Sequence, residues 1–96
     1  MSQPSILVHT EIRATSGPRF NDLLVPSGRP TLYDVLESMS SQEWAQDLFT
    51  EKDGRVIPVT GYLMVLGNRM VQQWEVDDIS VIDGQNLKFV QVVPGG

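Results

Sequence analysis

The chain has 96 residues, 7 Lys and Arg against 12 Asp and Glu, and a formal net charge of −5 with its one histidine neutral. That length holds one small domain with a single core, and the acidic balance argues against a phosphate-backbone partner, so no nucleic acid is expected. The absence of cysteine excludes disulfides, thiolate metal sites and a Cys nucleophile, while 41% hydrophobic and 20% charged residues describe a folded chain rather than a disordered one.

The elements follow in chain order. Ile6, Val8 and Ile12, with Thr10 between them, alternate with Leu7, His9, Glu11 and Arg13. This period of two predicts a strand over 5–14. Ser16-Gly17-Pro18 predicts a turn, and residues 20–25 a second strand, so the chain opens with a hairpin. Thr31 is a fitting N-cap with Asp34 three residues on, and Leu32, Val35, Leu36 and Met39 form one apolar stripe of a helix. Ser40 and Glu43 repeat the capping pattern, which predicts a second short helix over 41–50 with Trp44 anchored to the core. A turn at Glu51-Lys52-Asp53-Gly54 leads to an extended segment at 56–59, which Pro58 confines to an edge. Strands are predicted over 62–66 and 69–74 around Gly67-Asn68. A loop then carries Glu75, Asp77 and Asp78, and Asp83-Gly84 turns into a last apolar strand over 87–93, expected to be central and buried on both faces. The expected fold class is α+β, a mixed sheet of about five strands on one main helix.

The chemistry is sparse. No GxxxxGK(S/T) or GxGxxG run is present, so no nucleotide site is evident. His9 is read as a partly exposed strand histidine. Glu75, Asp77 and Asp78 lack the order of a calcium loop and are read as a solvated loop; no metal site is expected. Trp74 has two readings: core packing, which is preferred, or an exposed partner surface. No apolar run is long enough to span a bilayer, and Met1-Ser2-Gln3-Pro4 begins no signal peptide. No membrane partner and a cytoplasmic location are expected.

Residues 94–96 are the unusual feature. Pro94 has no N–H and ends the ladder, which divides the chain into a domain over 1–93 and a flexible tail of Pro94, Gly95 and Gly96. Two glycines let a bare backbone enter a narrow channel. A carboxylate on Gly96 is a poor electrophile until an enzyme joins it to AMP.

Taken together, Asp53-Gly54-Arg55, the run Tyr62-Leu63-Met64-Val65-Leu66-Gly67-Asn68-Arg69-Met70-Val71, Ile82-Asp83-Gly84-Gln85 and Pro94-Gly95-Gly96 resemble the ubiquitin-like sulfur-carrier family. That family includes the small subunit of molybdopterin synthase and the thiamine-pathway sulfur carrier. The chain departs from it in having Gly67-Asn68 where Asn-Gly is common, and Gln85 where many members have Asp. The resemblance implies a β-grasp fold and a carrier rather than an enzyme alone. An E1-like adenylating enzyme using ATP and Mg²⁺ would activate Gly96, with no cofactor bound by the chain itself. A sulfur donor would then convert Gly96 to a thiocarboxylate for cofactor biosynthesis, with Pro94, Gly95 and Gly96 entering the active site of a partner such as a large synthase subunit. The alternatives are a modifier conjugated through Gly96 to target lysines, and a non-catalytic interaction module.

Overall fold

The computed structural model describes residues 4–93. The alternation read in the first strand holds. β1 (Ile6–Ala14) buries Ile6, Val8, Thr10 and Ile12, and it pairs antiparallel with β2 (Gly17–Val25) from Ile6↔Val25 to Ala14↔Gly17. The turn therefore sits on Thr15-Ser16, one residue earlier than expected, and Gly17 and Pro18 open β2. Proline is tolerated there because β2 is an edge strand. Buried Thr10 satisfies its hydroxyl by donating to the Asn21 carbonyl at 2.6 Å.

α1 (Leu32–Ser40) begins as its residues dictate. The Asp34 amide donates to Thr31 Oγ1 at 3.2 Å, and the Thr31 amide donates back to Asp34 Oδ2 at 2.9 Å. Two further amides of the first turn find partners in the loop before the last strand: Leu32 donates to the Ile79 carbonyl at 2.8 Å and Tyr33 to that of Val76 at 3.0 Å. These bonds satisfy helix-start donors that have no partner within the helix. They also hold Val76 and Ile79 in the core, where Val81 joins them as its amide donates to the Pro30 carbonyl at 3.0 Å.

The second helical piece is a 3₁₀ helix, Glu43–Leu48. Ser40 does not cap it. That residue ends α1, and its hydroxyl donates to the Glu37 carbonyl at 2.7 Å. Trp44 packs against the core as expected, and its carbonyl accepts from Arg19 at 2.9 Å. Phe49 leaves the helical segment for β3 (Phe49–Lys52), which pairs with β4 (Arg55–Pro58) as a separate two-stranded sheet. Asp53 and Gly54 both take positive φ, 53° and 77°, the pattern of a type I′ turn. The Phe49 ring meets Phe89 edge-on at 5.8 Å.

β5 (Tyr62–Leu66) and β6 (Arg69–Val71) form the expected hairpin. β7 (Asn86–Gln91) completes a five-stranded mixed sheet in the order β2-β1-β7-β5-β6, parallel to β1 and antiparallel to β5. The last strand is therefore central, but it is not buried on both faces. Leu87 and Phe89 lie in the core, whereas Lys88 and Val90 are half-buried on the opposite face. Both α1 and the core lie on one side of the sheet, so the chain is α+β with one main helix.

Candidate functional site

β7 brings the chain to its exit from the sheet. The Val92 amide donates to the Gly61 carbonyl at 2.7 Å, extending the β5–β7 ladder by one step, and Val93 is exposed. Pro94, Gly95 and Gly96, on which the sequence places the reacting group, lie outside the described residues. What is on view is the surface around that exit. Gly61, Tyr62 and Leu63 form one side of a groove of about 270 Å³, with Pro58, Met70 and Trp74 among its other walls.

Trp74 is 77% exposed, which overturns the preferred reading of core packing. The reason lies in how β6 ends. The strand stops at Val71, and the next amide, that of Gln72, faces away from β5 and donates to Glu75 Oε2 at 2.8 Å. Glu75 Oε1 also accepts from Arg69 Nη2 at 3.1 Å. Together these bonds fold Gln73–Glu75 into a single 3₁₀ turn that replaces the predicted strand end and leaves the indole in solvent. The Gln72 amide, helped by the Arg69 charge, holds the Glu75 carboxyl below the usual carboxylate range despite some desolvation.

A second groove, of about 370 Å³, lies on the other flank of Trp74 and reaches Leu36, Ile57, Pro58 and Val76. Arg55 closes it. Its guanidinium sits 4.1 Å from the centre of the Tyr33 ring, and Nη2 donates to Asp77 at 2.7 Å. That hydrogen bond raises the Arg55 pKa above its ordinary value. The Tyr33 hydroxyl in turn accepts from the Val56 amide at 3.2 Å, tying α1 to β4.

The acidic loop does not assemble a cation site. Glu75 faces Arg69 and Asp77 faces Arg55, and among the described residues no group of three His, Cys, Asp or Glu side chains could hold a metal. His9 is exposed on its strand as expected, and its Nδ1 lies 2.8 Å from Asp22 Oδ1. No sequence motif singles out Asp22. Counting the register back from the two-residue turn at Thr15-Ser16 finds it, because His9 and Asp22 are direct cross-strand partners. Glu11, on the same strand face as His9, pairs with Arg13.

The described surface thus carries an exposed indole between two grooves, one of which adjoins the end of β7. Among the described residues, no helix is long and apolar enough to cross a membrane. No family model matches the chain, and neither the curated proteins nor the solved structures contain a match.

Proposed function

We propose that this chain is a β-grasp, ubiquitin-like sulfur carrier of the cytoplasm, a reading that requires the terminal carboxylate of the mature protein to be that of Gly96. The observation that carries the reading is the placement of β7. It is the central strand, gripped by β1 and β5, and Pro94-Gly95-Gly96 follow it in sequence two residues after its ladder step at Val92. A rigid body that ends in a bare backbone suits an enzyme that must hold one and insert the other. Support also comes from the mixed sheet on one main helix and from the sequence resemblance.

In this reading a Gly96 carboxylate oxygen attacks the α-phosphorus of ATP in the active site of an E1-like partner. Pyrophosphate leaves and an acyl-adenylate remains. The terminal sulfur of a persulfide donor attacks the carbonyl carbon and expels AMP. A thiolate then attacks the donor cysteine's own sulfur in the acyl disulfide; the S–S bond breaks, a disulfide forms on the donor side, and the acyl-bound sulfur leaves as the thiocarboxylate. The nucleotide and the sulfur nucleophile both belong to partners' active sites, and this chain contributes the carboxyl that is activated, on a side-chain-free tip.

Intact-mass measurement of the chain from its host, coupled to ATP–pyrophosphate exchange with the host's E1-like enzymes, tests the reading. A terminus at Gly96 that is adenylated, with one oxygen replaced by sulfur in a fraction of molecules, is expected. Gly96→Ala should leave the melting temperature unchanged and slow exchange by about 10²-fold, because a methyl beside the reacting carbon displaces it by about 1 Å. Exchange as fast as the parent's in a variant carrying one extra residue after Gly96 would overturn the reading. A second reading, a non-catalytic interaction module, is favoured by the exposure of Trp74. It predicts that biological activity survives deletion of Gly95 and Gly96 but not Trp74→Ala.

A further inference from the structure

Among the described residues, no strand pairs with the outer edge of β2, and its register specifies what fits there. On β1, the His9 amide donates to the Gln85 carbonyl at 2.9 Å and the Leu7 carbonyl accepts from Gly84 at 2.7 Å, so odd-numbered residues turn their backbone toward β7. Backbone groups alternate in direction along a strand, so Val8, Thr10 and Ile12 turn theirs toward β2. Their partners Leu23, Asn21 and Arg19 are then the β2 residues whose amides and carbonyls are used. Phe20, Asp22 and Leu24 are left with backbone donors and acceptors facing outward.

The same three residues carry exposed side chains on the open face of the sheet. Phe20 is 67% and Leu24 65% exposed, and the Asp22 side chain is 64% exposed beside His9. A shallow hollow of about 320 Å³ lies against them, lined by His9, Thr10, Phe20, Asn21 and Asp22. The edge thus presents an apolar–acidic–apolar triplet at alternate positions, each with its backbone available for pairing.

We propose that this edge binds an extended peptide segment of a partner protein with a lysine or arginine between two apolar residues, each two positions away. The peptide adds antiparallel to β2, the cation opposite Asp22 and the apolar side chains opposite Phe20 and Leu24. A second copy of this chain is a poor occupant. Pairing Phe20 with Leu24 of the copy, in both directions, would set Asp22 against its own counterpart, and like charges directly opposite destabilise a strand pair. The net charge of −5 further favours a basic partner. This binding does not depend on the chemistry at Gly96.

The test is an NMR titration of the full chain with acetyl-Thr-Val-Thr-Lys-Thr-Val-Thr-amide and with its Glu-for-Lys counterpart. The Lys peptide should protect the Phe20, Asp22 and Leu24 amides from hydrogen exchange. Asp22→Lys should weaken that peptide about tenfold and favour the Glu peptide instead, since a favourable cross-strand charge pair becomes a like-charge one. Asp22→Asn, which keeps an acceptor for His9, should bind both peptides equally. Unchanged exchange at those three amides under saturating Lys peptide, or perturbation confined to the Trp74 grooves, overturns the proposal. So does protection without peptide accompanied by a dimer mass in sedimentation.

Discussion

Trp74 and Glu75 are neighbours in one 3₁₀ turn and differ entirely in what they contribute to it. Glu75 is stabilised in its charged form, so its folded pKa lies below its unfolded one. The resulting stability is present above the ordinary carboxylate range and is lost as the pH falls through the lowered value. Glu75→Gln should therefore melt earlier than the parent at neutral pH, and the two melting curves should converge in acid, as read by thermal unfolding across a pH series. Trp74 holds nothing together. Trp74→Ala should change stability by less than about 0.5 kcal/mol, whereas Trp44→Ala, which strips a half-buried indole from the core, should cost about 2 kcal/mol in denaturant unfolding. The sequence does not separate these two tryptophans by any hydrophobic pattern. What distinguishes them is a hydrogen bond, Gln72 to Glu75, that caps the 3₁₀ turn carrying Trp74 and that no such pattern records.

At the level of elements, the hairpin between β5 and β6 explains the inverted order of its turn residues. Gly67 has φ of 62° while Asn68 stays outside the left-handed region, the pattern of a type II′ turn rather than the type I′ turn that Asn-Gly favours. Gly67→Ala should cost about 1–2 kcal/mol in urea unfolding, since a Cβ at that φ is strained even though nothing lies within 4 Å of it. Combining Gly67→Asn with Asn68→Gly in one variant should cost less, because a type I′ turn closes the same two-residue loop. Strands, turns and α1 are legible where a local code suffices: alternation in β1, the Thr31–Asp34 cap, the Gly67-Asn68 loop. The β3–β4 hairpin shows in the sequence only as a turn and an extended segment, because β3 is mostly exposed, β4 is mostly half-buried, and neither alternates. Residues 94–96 are legible as chemistry alone. The His9–Asp22 pair requires the turn position to the residue, since one residue of slip changes every cross-strand partner.

For the molecule as a whole, the core is thin: α1, the 3₁₀ segment with Phe49, and the loop before β7 cover one face of the sheet, and Phe89 is fully buried among them. Phe89→Ala should cost about 3–5 kcal/mol, a large share of the roughly 5–15 kcal/mol typical of a domain, and should be visible as a marked fall in the denaturant midpoint. The placement of β7 has a consequence in time as well as in space. It is the last of the seven strands to be synthesised, yet β1, the first, must pair with it along Asn86–Val90. Such distant pairings close slowly, so on the ribosome β1 waits beside β2 with its other edge bare until β7 has emerged. The sheet cannot be completed around any shorter nascent chain. An unfinished molecule consequently has neither the assembled body nor the exit beside Gly61, and an enzyme that requires both would act only on chains whose translation has run through β7.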